Sequence, residues 1–341
     1  MVVGAGLSGL VAARELADRG VAALVLDKEP RPGGRLATRT VGPGRGDDGA
    51  QFFTVRDERF ADLVERWRSG GCPITTWCHG FASAAAVGDG PGAADPGGDG
   101  YPRFVVAGGM DGLAAHLADD LDVLPGVVVQ AVAREDGGWR LSARRRDGGE
   151  TAVWRAASVL LTAPVPPSLD LLAAGDATLS ASDAAALRRV RYAPCQSVVV
   201  ALDRPPALPE PGGVQFTDGP VGWLGDNARK GVSDTPAVTV HAAEGWSAAR
   251  LDDDPTDVVE ALLALAAPWL GRAYPVAARL RRWRHSRPTV CHPEPVLVAR
   301  PEGGDGPALA FAGDAFGSPR VEGAALSGLA AAEALTDPAA V

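Results

Sequence analysis

The sequence predicts an α/β protein in which a doubly wound parallel sheet carries an antiparallel meander and is joined to a discontinuous α+β domain. Three observations predict this. The chain opens as strand, turn, helix, strand: Val2-Val3, then Gly4-Ala5-Gly6-Leu7-Ser8-Gly9, a helical pattern from Leu7 to Arg19, and the apolar run Ala22–Leu26 ending in Asp27. A run apolar on both faces suits a buried parallel strand. In mid-chain, three strand candidates (Val127–Arg134, Trp139–Arg145, Thr151–Thr162) are separated by the turns Asp136-Gly137-Gly138 and Asp147-Gly148-Gly149, the pattern of a meander. Finally, 341 residues is about two domains at ~150 residues each.

The remaining elements follow in order. Only three residues precede Gly4, fewer than the ~5–6 of an average strand, so the first strand is clipped or the true start lies upstream. Asp57–Trp67 reads as an amphipathic helix with Phe60, Leu63, Val64 and Trp67 on one face. Val87–Gly100 is a Gly/Pro/Asp tract expected to form a surface hairpin tip or loose loop without a core. Leu113, Leu117 and Leu121 mark another helix. Strands are expected over Gln196–Asp203 and Pro236–Ala242, and a helix from Asp254-Pro255 carries Val258, Leu262, Leu265 and Trp269 on one face. The chain closes with a strand, Ala308–Ala312, and a helix, Glu322–Leu335.

Composition excludes several classes. Hydrophobic residues make up 46% and charged residues 22%, a globular balance with ample core material. The net charge of −9 opposes a nucleic-acid partner, whose footprint is basic. No apolar run reaches the ~20 residues of a membrane helix, and no basic segment precedes the glycine turn as in a signal peptide. A cytoplasmic location is therefore expected. Cys72, Cys78, Cys195 and Cys291 have no metal spacing, so reduced thiols and no metal are expected. Only Lys28 and Lys230 are lysines; every other basic residue is arginine.

Chemistry enters through three motifs. Gly4, Gly6 and Gly9 form G-x-G-x-x-G between a strand and a helix, where backbone can approach a pyrophosphate and the helix N-terminus favours its charge. Gly44, Gly46 and Gly49 fit the same spacing but lack that context, and read as chance. Asp27 lies 18 residues after Gly9, placed to accept from a ribose hydroxyl. Arg31-Pro32-Gly33-Gly34-Arg35 either presses backbone and guanidinium against phosphate or is a plain turn. Phe311-Ala312-Gly313-Asp314, followed by Gly317–Ala324, ends a strand and opens a small-residue helix; Asp314 suits a polyol, and the alternative is a terminal packing helix.

Taken in this order, the motifs resemble flavoproteins of the amine oxidase and glutathione-reductase type over nearly the whole chain. Within that group the sequence looks most similar to the renalase-like branch. The residues that carry this are Asp48–Thr54 with Arg56-Asp57 and Phe60, Gly108-Gly109-Met110, Asp226–Gly231, His241 with Trp246-Ser247, Arg282-Trp283-Arg284, and Ala312–Phe316 through Val321–Ala324. The departures are the short start and His285, where the pattern has Tyr. The resemblance implies a Rossmann-like FAD domain over residues 1–70, 102–166 and 282–341, and a substrate domain of the amine-oxidase/p-hydroxybenzoate-hydroxylase type over 71–101 and 167–281. It implies FAD contacts from Gly4, Gly6, Leu7, Ser8, Gly9, Asp27, Lys28, Gly34, Arg35, Ala50, Gln51, Phe52, Val128, Thr162, Ala163, Gly313, Asp314, Val321, Glu322, Gly323 and Ala324. The FAD is expected to be non-covalent, because no Cys stands in the C-terminal segment where flavinylated relatives carry one.

The implied activity is oxidation of 2- and 6-dihydro isomers of NAD(P)H, with hydride passing to flavin and O2 reduced to hydrogen peroxide, in a monomer or homodimer. Amine oxidation, desaturation of a lipid-like carbocycle, or flavin binding without turnover are the alternatives. An amine oxidase wants an aromatic cage, and only Tyr101, Tyr192 and Tyr274 are tyrosines; Trp223 or Trp283 could stack instead. His241, Trp283 and Gln51 are the candidate catalytic or pocket residues. Each also has a plain reading: a hydrogen-bonded strand histidine, a packing tryptophan, a turn. Lys230 reads as a solvated loop charge.

Overall fold

The opening strand Val2–Val3 is short but central, paired in parallel with Leu24–Asp27 on one side and Val159–Leu161 on the other. The computed structural model describes residues 1–95, 97–149, 151–299 and 307–336. Its first sheet runs Leu297–Ala299, Leu309–Phe311, Val159–Leu161, Val2–Val3, Leu24–Asp27, Asp122–Pro125, and only the pairing of Leu297–Ala299 is antiparallel. Val25, Leu26 and Val159–Leu161 are buried because both faces are covered, which explains their unbroken apolar runs. One face packs helices Leu7–Asp18 and Arg320–Thr336, themselves in close contact: a Cβ at Gly328 would lie 2.5 Å from Ser8 O.

The other face packs the meander Val127–Glu135, Gly138–Arg145 and Thr151–Ala156. Here the candidate strand Thr151–Thr162 divides in two. Thr151–Ala156 alternates between exposed and half-buried positions, whereas Val159–Leu161 is wholly buried beside the first strand. The junction is pinned where Ser158 O accepts from the Met1 ammonium, 2.8 Å. Helices Val165–Ala174 and Ala181–Arg189 bury Leu172 and Leu187 in this same core.

A second six-stranded sheet runs Pro275–Val290, Arg191–Leu202, Ala237–Ala242, Val221–Asp226, Gly213–Phe216, Ala82–Ala84. Pro275–Val290 continues without a break through position 282. Helix Pro255–Leu270 lies over the sheet, capped by Asp254, whose carboxylate accepts from Thr256 N at 2.8 Å. Its Trp269 is fully buried and donates to Val87 O at 2.6 Å. The Val87–Gly100 tract is accordingly not coreless. Val87 is a buried member of this core, and Val87–Asp89 forms a tight turn over the helix.

Helix Glu58–Ser69 buries Phe60, Leu63, Val64 and Trp67, as their spacing predicts, and Asp57 caps it. In Asp111–Ala118 only Leu113 and Leu117 lie on the helix; Leu121 follows its end. The hairpin Thr38–Val41/Gly44–Asp47 lies against the second sheet. A Cβ at Gly46 would meet Val199 Cγ1 at 2.6 Å and Asn227 Nδ2 at 2.7 Å. The second glycine triplet therefore serves close backbone approach, not a phosphate. Among the described residues, no helix is long and apolar enough to cross a membrane.

Candidate active site

The first glycine loop folds as a cradle. Gly4 sits at φ +112° with Thr162 Oγ1 behind it, and a Cβ at Gly9 would lie 2.1 Å from Gly4 O. Both positions demand glycine. Thr162 supports the loop from below by donating to Val3 O and Gly4 O, and Ala163 follows half-buried. The Arg31–Arg35 turn closes over it: Gly33 N donates to Ala5 O at 2.8 Å, and Gly33 bridges Gly6. Helix Leu7–Asp18 begins here with no side-chain cap. Among the described residues, a Cβ at Gly6 would meet nothing within 4 Å, and the buried Ser8 Oγ has no hydrogen-bond partner. Open space, uncapped N–H groups and an orphaned hydroxyl at a helix N-terminus suit a pyrophosphate. These residues fit the diphosphate of FAD.

Asp27 ends the neighbouring strand. Its oxygens accept from Ala5 N and from Glu29 N at 2.7 Å, and burial raises its pKa against those two hydrogen bonds. Lys28 is exposed and Val128 half-buried. At the far end of the cradle Arg35 grips Asp314 through two contacts of 2.7 Å and donates to Ser286 O at 3.0 Å. One point thus joins the GGR turn, the C-terminal Gly-Asp and the long strand of the second sheet. Glu322 faces elsewhere, accepting from Arg56 N at 2.6 Å and Asp57 N at 3.2 Å. Of its neighbours, Val321 is buried, Ala324 half-buried, and a Cβ at Gly323 would lie 1.7 Å from Ser318 O.

The second cluster is built from side chains. Lys230 is not solvated: its side chain is 0% exposed, its Nζ lies 2.9 Å from Asp47 Oδ2 and donates to Gln51 Oε1 at 3.0 Å. The turn Asp226–Gly231 throws it inward, with Asp226 Oδ1 accepting from Ala228 N and Arg229 N. Asp47 Oδ1 accepts from Thr38 Oγ1 and from Met110 N. Gln51 does turn its own chain, since Nε2 donates to Asp47 O at 2.6 Å and Gly49 O at 3.1 Å. That amide also lies 3.4 Å from His241 Nε2. Burial, then the Lys230 charge, push the His241 imidazole down to about 4. Trp283 donates from Nε1 to Asp48 O at 2.7 Å, with the Arg281 guanidinium 4.5 Å over its ring. The structure therefore gathers Gln51, His241 and Trp283 around the segment 47–51.

An aromatic group adjoins this cluster. Phe81 and Trp223 pack against each other and each against Phe52 and Trp77, with centroids 4.7–6.2 Å apart. No tyrosine is needed for it, so the scarcity of tyrosine did not foretell an absence of aromatic rings.

A model of the NAD(P)-binding Rossmann-like domain matches residues 2–67, and the model of flavin containing amine oxidoreductases matches residues 88–336. The chain belongs to the flavin-containing amine oxidoreductase family. This oxidoreductase uses FAD. It is 53% identical over 51 residues to lysine-specific histone demethylase 1 homolog 1 of Arabidopsis thaliana, across 15% of this chain and 6% of that protein. It is 42% identical over 71 residues to a neurosporene-forming phytoene desaturase of Rhodobacter capsulatus, across 21% and 13% respectively. The chain thus matches only a small part of either relative's length. In fold the oxidoreductase resembles a putrescine oxidase variant redesigned in cofactor binding (TM-score 0.69, 15% identity, 98% of this chain and 97% of that one). It also resembles the wild-type enzyme bound to putrescine (TM-score 0.66, 14% identity, 98% of each chain).

Two buried residues of this cluster have a role that the motifs do not give: Asp47 stands just outside the segment Asp48–Thr54, and Lys230, within Asp226–Gly231, reads as a solvated loop charge but is wholly buried. A compositional signal was available: Lys230 is lysine in a chain that otherwise uses arginine almost throughout. An ammonium is a compact donor where a planar guanidinium needs room.

Proposed function

We propose that this flavin-dependent oxidoreductase oxidises 2- and 6-dihydro isomers of NAD(P)H to NAD(P)+, in the manner of renalases. In this reading the cradle at Gly6–Ser8 holds the FAD diphosphate, Asp27 the adenosine ribose, Asp314 the polyol, and Ala50–Phe52 the ring. FAD supplies a two-electron acceptor that O2 returns to its oxidised form, with release of hydrogen peroxide.

The observation that carries the reading is the buried Lys230–Asp47 pair, with Lys230 Nζ 3.0 Å from Gln51 Oε1 and the Gln51 amide 3.4 Å from His241 Nε2; burial and that fixed charge push the His241 imidazole down to about 4. A protonated amine must lose a proton before it can give up a hydride, and a base of that strength beside a fixed cation serves such a step poorly. A dihydronicotinamide is neutral and electron-rich at its ring. It requires positioning rather than deprotonation, and Trp283 and Gln51, both tied to backbone carbonyls of segment 47–49, are rigid enough to position it.

Amine oxidation is the second reading, favoured by the Phe52, Trp77, Phe81 and Trp223 group, whose faces suit a cation. Anaerobic stopped-flow reduction decides between them. Dihydronicotinamide isomers should bleach the flavin far faster than NADH, putrescine or benzylamine; faster bleaching by an amine overturns the proposal.

A further inference from the structure

The aromatic faces beside the candidate pocket are already taken by cations of the chain itself. Lys230 Nζ stands 5.8 Å from the Trp77 ring centroid. The Arg103 guanidinium stands 5.7 Å from Phe52 and 5.6 Å from Phe81. All three distances are within cation–π range. Both cations are fixed, Lys230 by Asp47 and Arg103 by Asp99 at 2.7 Å and Tyr101 O at 2.7 Å.

Beside the Asp47 carboxylate, which faces Lys230 at 2.9 Å, two donors have capacity to spare. Among the described residues the buried Trp223 Nε1 finds no hydrogen-bond partner, although an indole N–H can only donate. It borders the Gln51 amide: a Cβ placed on Gly225 would lie 2.7 Å from Trp223 Nε1 and 3.3 Å from Gln51 Oε1. Lys230 Nζ, also only a donor, carries three protons and has two partners, Asp47 and Gln51. An orphaned buried donor costs free energy until an acceptor reaches it. An ammonium ligand brings donors only, and would meet two fixed cations on the rings that should hold it.

We infer that Lys230 and Trp223 are specificity-determining residues, forming a donor-lined pocket that takes a planar ring bearing a carboxamide or carboxylate and rejects cationic amines. The inference rests on the reading that substrate enters beside Gln51 and His241, and it names the group recognised there. A carboxamide oxygen satisfies the Trp223 N–H and lies favourably toward the Lys230 ammonium.

The test uses benzoate, benzamide and benzamidine, which share one planar shape and differ in charge and in acceptor capacity. Their binding to the FAD-loaded protein is read from the flavin absorbance difference spectrum. Benzoate and benzamide should bind at least about tenfold more tightly than benzamidine, whose amidinium is cationic and donor-only. Trp223→Phe keeps the ring and removes the donor; it should weaken benzamide several-fold and leave benzamidine unchanged. Lys230→Met in an Asp47→Asn background removes the pair together, stranding neither charge, and should shrink the preference to under threefold. Benzamidine binding as tightly as benzamide to the parent protein overturns the inference. So does a preference unaltered in Trp223→Phe, the milder substitution, whatever the double variant does. The three probes are redox-inert, so selective benzamide binding without reduction by any dihydronicotinamide removes the proposed substrate and keeps the pocket. Reduction without that selectivity does the reverse.

Discussion

The cradle at Gly4–Gly9 and the pocket around Lys230 lie in one molecule and are built on opposite principles. The cradle is made of backbone. Its glycines clear space, its N–H groups face outward from a helix start, and its buried carboxylate Asp27 is held by peptide N–H groups rather than by a cation. The pocket is made of side chains: a fully buried ion pair, an amide locked between that pair and two carbonyls, and an imidazole held neutral beside them. The part of the cradle that faces open space, the helix start at Gly6–Ser8, can change and leave the protein folded, because what it offers is offered to a ligand. The pocket cannot, because its charges satisfy each other.

Breaking that distinction begins with the largest effect. Lys230→Met strands the Asp47 carboxylate in the interior, and removing one partner of a buried pair costs about 3–5 kcal/mol. Denaturant unfolding should show that loss, and most of it should return when Asp47→Asn is added. A single variant as stable as its parent would mean that Asp47 finds another partner.

The corresponding cut in the cradle is Asp27→Ala. A charge-assisted hydrogen bond is worth about 1.5–3 kcal/mol, so FAD affinity should fall by about one to two decades while the protein stays folded. Equilibrium dialysis against FAD measures this. Undiminished FAD affinity would remove the adenosine ribose from Asp27.

The two regions also differ in how far they could be read from sequence, for a physical reason. Ala5 and Asp27 are 22 residues apart, within one strand–helix–strand unit whose geometry is set by local rules, so spacing alone places them. Lys230 and Gln51 are 179 apart, and nothing local says that the turn Asp226–Gly231 points inward. The divided strand Thr151–Leu161 is a related case. Residues 151–156 alternate and residues 159–161 do not, but a continuous β-forming run conceals the change of sheet. Val87 shows the converse, since one apolar residue in a Gly/Pro tract suffices to anchor it once Trp269 supplies a donor. Glu322 is expected among the FAD contacts from its motif, but its carboxylate accepts from Arg56 N and Asp57 N, on a loop that no C-terminal pattern reveals.

A smaller effect should appear in the pH dependence of stability. His241 is pushed down to about 4 from its ordinary 6.5. The unfolded chain therefore binds more protons between those values, and stability should rise with pH across that window. Asp48 is pushed up, by burial first, from 3.8 to about 6. There the folded state binds the extra proton, and stability should fall with pH from about 4 to about 6. The two slopes oppose each other, and the parent profile should be shallow. His241→Gln should expose the falling limb, and Asp48→Asn should steepen the rising one. Unfolding midpoints measured from pH 4 to 7 give both; profiles of equal slope in parent and variants would show that neither group titrates with folding.

The smallest effect on the fold is expected at Gly6. Its backbone lies at φ −76° and ψ 177°, a conformation open to any residue, and an added Cβ meets nothing within 4 Å. Gly6→Ala should therefore change stability by no more than about 0.5 kcal/mol. The methyl group would project into the space in front of the helix N-terminus, where backbone must approach the diphosphate, so FAD retention should fall although the fold does not notice. Gly9→Ala is the control: its Cβ would sit 2.1 Å from Gly4 O, and it should damage fold and FAD binding together. If Gly6→Ala retains FAD as the parent does, the cradle is not where the diphosphate lies. If it unfolds the protein, the space in front of Gly6 is part of the fold's own packing, and the distinction between a region built for a ligand and a region built for itself disappears.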